Sequence, residues 1–258
     1  MPKRKQQEEL CQQVQRKRTS GQGGGDSVQE QAGVPSDLTV GAPLNLSSPV
    51  KVKTHNVWII GDSLIRGAQQ AAYLRPDEDL GLGNFVNVLW ESVSGMKICD
   101  LYDTVQYLLT FNPPPEVLII HCGGNDLGSS GMTTLKLTWM VKNMLSGWLG
   151  MMPNTKFVWC QILPRRSWRY IPDYVIANKM RARVNSCLGT YFIKHGGAYI
   201  KFPEINQDPI YFSSDDCHLS SFGYDIMVNI FSGAVYTFLF TSEQVFPKTD
   251  MIQLHPVH

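Results

Sequence analysis

Ser63, Asp215 and His218 are the residues of this chain whose types and spacing suit joint chemistry. A hydroxyl is a weak nucleophile until an imidazole takes its proton, and an acid must hold that imidazole in the right tautomer. Asp215 stands three residues before His218, and in a tight turn side chains at i and i+3 fall on one side. Asp216 is two residues back, where side chains point apart. Ser63 lies in VWIIGDSLIRG, between the apolar, β-branched run Val57–Ile60 and the helical stretch LIRGAQQAAYL. A serine at a strand-to-helix turn stands clear of the sheet edge, and the helix N-terminus favours developing negative charge. The same position suits an N-cap, the ordinary use of a serine that opens a helix.

Two further stretches answer to this set. Gly95 in VSGMKI and Gly123-Gly124-Asn125-Asp126 in IIHCGGNDLG each follow a predicted strand. Glycine lets a backbone N–H approach a ligand closely and an Asn amide is a donor, so Gly95, Asn125 and the Ser63 N–H make an oxyanion hole. His121 sits in an apolar run and reads as a hydrogen-bonded core histidine. Asp62, Asp126 and Asp216 read as makers of structural hydrogen bonds. Arg165, Arg166 and Trp168, with Arg169 and Tyr170, form a basic, aromatic loop after the fourth strand. It is either a substrate loop able to hold an anionic head group or a solvated loop.

Taken in order, the blocks Gly61-Asp62-Ser63-Leu64, Gly95, Gly123-x-Asn125-Asp126 and Asp215-x-x-His218 resemble the GDSL or SGNH hydrolase family, over roughly residues 55 to 240. Leu163-Pro164-Arg165 is similar to the platelet-activating-factor acetylhydrolase branch. The resemblance implies a serine esterase or lipase with Ser63 as nucleophile, His218 as base, Asp215 as orienting acid and an acyl-enzyme intermediate. It implies an ester substrate (lipid, acetylated sugar or small ester) and no metal or cofactor. Esterase-like domains of this family also occur in vertebrate retroelement reading frames, and a basic tail ahead of the domain resembles that arrangement. The alternative function is therefore an accessory interaction protein.

With 258 residues, 43% of them hydrophobic and 17% charged, the chain is able to bury a sizeable core. Its net charge of +1 argues against a polyanionic partner for the whole. The balance is uneven: residues 1–53 carry 8 Lys/Arg against 5 Asp/Glu, and the rest carries 15 against 17. Weak nucleic-acid binding is expected only of the tail. Residues 1–53 hold too few large apolar side chains to offset the entropy of ordering, so a disordered tail is expected there. Lys3-Arg4-Lys5 and Arg16-Lys17-Arg18 are spaced like a bipartite nuclear import signal, and MPKRKQQEEL lacks the apolar core of a secretory signal. Both features predict an intracellular protein, cytoplasmic or nuclear. The apolar stretch Ile226–Phe240 is shorter than the ~20 residues of a membrane span. Six cysteines without a CxxC pair argue against zinc or a disulfide scaffold, and Cys99, Cys122 and Cys160 read as buried.

Strand candidates Val57–Gly61, Phe85–Trp90, Val117–His121, Phe157–Ile162 and Ala198–Phe202 alternate with helix candidates Leu64–Leu74, Ile98–Leu109, Thr133–Leu149, Tyr174–Lys194 and Phe222–Phe240. That rhythm predicts an α/β domain over 54–242, with a five-stranded parallel sheet of flavodoxin-like order 2-1-3-4-5 and helices on both faces. Residues 243–258 read as an exposed C-terminal tail. Ligands bind beyond the carboxyl ends of such strands, where Ser63, Gly95 and Asn125 would gather.

Overall fold

Val117–His121 forms a strand buried at every position, as the middle of a parallel sheet covered on both faces must be. The computed structural model describes residues 54–75 and 80–248; the expectations placed on residues 1–53 and 249–258 lie outside them. Six strands pair in parallel: β1 (His55–Gly61), β2 (Val86–Ser92), β3 (Val117–His121), β4 (Lys156–Cys160), β5 (Ala198–Ile200) and β6 (Val245–Phe246), in the spatial order β2-β1-β3-β4-β5-β6. The helices are α1 (Ser63–Tyr73), α2 (Ile98–Phe111), α3 (Thr134–Met151), α4 (Tyr174–Lys194) and α5 (Ser221–Phe240). The three-layer α/β architecture is the one the alternation predicts.

Strand side chains alternate between faces, and the core divides accordingly. Val57 and Ile59 of β1, Ile119 of β3 and Val158 of β4 pack with Leu64, Ile65 and Ala68 of α1 and with Met227, Phe231 and Val235 of α5. Trp58, Ile60, Leu118, Ile120 and Trp159 face the opposite way, onto α2, α3 and α4. Each fully buried Ile or Leu contributes about 1.5–3 kcal/mol of hydrophobic stabilisation, so both layers are held against the same central strands.

The sixth strand falls where an exposed tail was expected. Tyr199 N–H donates to the Gln244 carbonyl and Lys201 N–H to that of Phe246, at 2.8 and 2.7 Å. Phe246 lies against Gly233 of α5. A two-residue strand has no periodicity to read; the open edge of β5 recruits it.

Register sets the position of the site. Gly61 stands opposite Ser92 on one side and His121 on the other, so β1, β2 and β3 end at one level. A side chain at residue 61 would place its Cβ 2.3 Å from the His121 carbonyl oxygen, so only glycine lets β1 pass there.

Candidate active site

The chain turns from β1 into α1 through Asp62, which is wholly buried. Its Oδ1 accepts the Leu64 N–H at 3.0 Å, and its carbonyl accepts those of Ile65 and Arg66. Asp62 is therefore the N-cap, and the capping role open to Ser63 in the sequence falls to its neighbour. Ser63 becomes the first helical residue, with its hydroxyl spared for another partner. That partner is His218: Ser63 Oγ lies 2.8 Å from Nε2.

His218 is carried by a hairpin ahead of α5, closed by an isolated antiparallel bridge between Phe212 and Leu219. Ser213 N–H donates to the His218 carbonyl, and Asp216 N–H to that of Ser213. Inside it, Asp215 Oδ2 lies 2.5 Å from His218 Nδ1. Its Oδ1 accepts the Ser213 hydroxyl and the backbone N–H groups of Cys217 and His218, at 2.7, 3.0 and 2.8 Å. Partial burial opposes ionisation, but these hydrogen bonds outweigh it and hold Asp215 well below the usual carboxylate range. An ionised carboxylate only accepts, so Nδ1 carries the hydrogen and Nε2 is left to accept the serine proton. Ser213 is a support of this site that sequence reading missed; an isolated serine in a loop carries no signal.

Asp216 faces elsewhere. Its φ of 56° lies in the left-handed region, and its Oδ1 pairs with Arg166 Nε at 2.8 Å. Its carbonyl accepts the N–H groups of Arg166 and Ser167, both at 3.0 Å. The loop after β4 thus clasps the histidine hairpin.

The oxyanion candidates assemble only in part as expected. Of the first N–H groups of α1, which lack intrahelical acceptors, those of Leu64, Ile65 and Arg66 are taken by Asp62, and that of Ser63 has no acceptor among the described residues. Gly95 is the third residue of a turn closed by Met96 N–H donating to the Val93 carbonyl, and its φ of 73° is the one a type II turn demands there. Around it is open space. The Asn125 amide is more committed: Nδ2 donates to Asp62 Oδ2 and to the Met96 carbonyl, both at 3.1 Å, while Oδ1 accepts from Arg165 Nη1 at 3.3 Å. Guanidinium only donates and carboxylate only accepts, so these partners dictate which way the amide points. An oxyanion would have to share one of those amide hydrogens.

In the basic, aromatic loop after β4, the side chains of Arg165 and Trp168 turn inward, while Arg169 and Tyr170 stay exposed. Arg165 is 5% exposed and Trp168 7%. The guanidinium lies 3.5 Å from Asp62 Oδ2 and stacks over the Trp168 ring, while Trp168 Nε1 donates to the Arg165 carbonyl. A buried carboxylate needs a compensating charge, and the side chain turns inward to supply it. Arg166, half-buried, is engaged by Asp216. Arg165, Arg166 and Trp168, named as a possible substrate loop, are thus each held by contacts within the protein.

His121 is buried as expected but neither ring nitrogen has a hydrogen-bond partner among the described residues. Burial pushes it toward the neutral form despite Asp62 Oδ1 at 3.8 Å. Burial likewise pushes the Asp126 carboxyl up to about 6, while Oδ2 accepts the Ile98 N–H that opens α2. Cys122 and Cys160 are buried, whereas Cys99 is exposed on α2. Among the described residues no group of three His, Cys, Asp or Glu is placed to hold a metal ion, and no helix is long and apolar enough to cross a membrane.

No family model matches the sequence, and no curated relative does. Solved structures do. A GDSL-like lipase from Bacteroides thetaiotaomicron superposes with a TM-score of 0.54 at 18% identity, covering 74% of this chain and 92% of that one. A member of the lipolytic protein G-D-S-L family from Veillonella parvula gives 0.55 at 19% identity over 70% and 98%. The Clostridium thermocellum family 3 carbohydrate esterase gives 0.54 at 21% identity over 72% and 98%. The sheet, its helical layers and the strand ends that carry Ser63, Gly95 and Asn125 are thus built on the SGNH-type α/β fold that these esterase and lipase structures have.

Proposed function

We propose that this protein is a serine ester hydrolase. The observation that carries the reading is the unbroken relay from Ser63 Oγ to His218 Nε2 and from Nδ1 to Asp215 Oδ2, at 2.8 and 2.5 Å. Ser63 Oγ attacks the ester carbonyl as His218 Nε2 takes its proton, and Asp215 stabilises the imidazolium that forms. The carbonyl oxygen gains charge where the free N–H of Ser63, that of Gly95 and a shared hydrogen of Asn125 meet it. Collapse breaks the ester C–O bond, and the departing alkoxide takes the proton from His218. Water then repeats the sequence on the acyl-enzyme, returning the acid and the free serine.

Fluorophosphonate labelling tests the nucleophile directly. The full chain should be modified at Ser63, and Ser63→Ala should lose both the label and ester turnover by several orders of magnitude while keeping its fold. Retention of near-wild-type hydrolysis by Ser63→Ala would show that the relay is not the catalyst.

A further inference from the structure

Lys97 Nζ lies 5.9 Å from the centroid of the Tyr170 ring, and the Arg169 guanidinium lies 5.6 Å from the same ring. Neither cation is within ion-pair distance of a carboxylate among the described residues, although Lys97 acts on the buried Asp126 from farther off, whereas Arg75, Arg165, Arg166 and Lys248 are paired directly with acids. Two cations sharing one ring gain from its π face but repel each other, and the ring does not neutralise them. An anion that both side chains reach would. Tyr170 is 40% exposed, and Arg169 is exposed as well.

Placement ties this cluster to the relay. Lys97 follows Met96, whose carbonyl accepts Asn125 Nδ2, and stands two residues past Gly95, around which there is open space. Tyr170 follows β4, and its Cβ packs at Gly128, in the loop after β3. Loops from three neighbouring strands therefore bring both cations to the carboxyl edge of the sheet, the edge that also carries Gly95 and Asn125. The nearest acid in sequence, Asp100, accepts the Lys97 backbone N–H at 2.8 Å, and no ion pair joins it to the ammonium among the described residues.

Resting on the ester-hydrolase reading, the geometry points to Lys97 and Arg169 as a subsite for an anionic group, a phosphate or sulfate, borne by the ester near its scissile bond. Charge-assisted hydrogen bonds from ammonium and guanidinium to such oxygens are the stronger kind. The preferred substrates are then anionic esters over neutral ones of equal size.

The test compares kcat/KM for 4-sulfophenyl butyrate and phenyl butyrate, and for dihexanoyl phosphatidylglycerol and the uncharged dihexanoyl glycerol. The wild type should favour the anionic member of at least one pair, the soluble pair assigning free esters and the lipid pair a headgroup. Lys97→Gln and Arg169→Gln should each lower that anionic-to-neutral ratio about tenfold, and Lys97→Arg should restore most of it. A ratio near one in the wild type, or one that either glutamine variant leaves unchanged, overturns the assignment. If no ester is turned over, the hydrolase reading fails separately. Calorimetric titration of the unreactive Ser63→Ala protein with phenyl sulfate then decides: binding lost in Ser63→Ala, Lys97→Gln upholds the anion site, and binding retained or absent throughout rejects it.

Discussion

Asp215 and Asp216 are neighbours in the chain and serve opposite sides of the hairpin: one carboxylate holds His218 Nδ1, the other holds Arg166. The left-handed backbone at Asp216 is what turns them apart. Asp215→Asn should therefore lower kcat by ~10²–10⁴, the loss that follows when a triad acid is neutralised and the wrong tautomer forms. Asp216→Asn should cost less than about tenfold, since asparagine tolerates the same φ. Rates for both variants on one ester at pH 8 decide this, and the reverse ranking would reassign the acid.

Asn125 has two duties that separate in kinetics and stability. As an oxyanion donor its loss in Asn125→Ala lowers kcat by ~10²–10³ with a smaller change in KM. As the bridge between Asp62, Met96 and Arg165 it also contributes to the fold, so the denaturant midpoint should fall too. A lower midpoint with kcat within about twofold would leave it only the bridging role.

Arg165→Met would strand the Asp62 carboxylate in the interior. Removing one partner of a buried pair costs about 3–5 kcal/mol, because the remaining charge is uncompensated. Denaturant unfolding should register that loss. Asp62→Asn combined with Arg165→Met should recover part of it, since asparagine still caps α1. An unchanged midpoint in the single variant would mean that the guanidinium compensates nothing.

Asp126 carries a pH signature of the opposite sign to Asp215. Burial raises its folded pKa to about 6 from the ordinary 3.8, so between these values the native state binds more protons than the unfolded one. Stability from this group is complete below the ordinary value and is lost as pH rises through about 6, by about 2–3 kcal/mol at most. Urea melts of wild type and Asp126→Asn at pH 4 and pH 7 measure it. The wild type should lose stability relative to the variant across that interval, and a constant difference would place the carboxylate in solvent.

Alternation of apolar residues sufficed to place five strands, five helices and their order, because both periodicities are written within a few residues of each position. Asp215 and His218 were equally legible, being three apart in one turn. Ser63 was legible as a residue between strand and helix, but whether it or Asp62 would cap the helix depended on what else needed the carboxylate. Asp62 meets Asn125 across 63 residues and Arg165 across 103, and no local pattern encodes those meetings. The inward turn of Arg165, the amide orientation of Asn125, the recruitment of Val245–Phe246 to the edge of β5 and the convergence of Lys97 with Arg169 were all decided by tertiary structure. Each depends on a charge, a donor or an open edge that the folded sheet alone brings within reach.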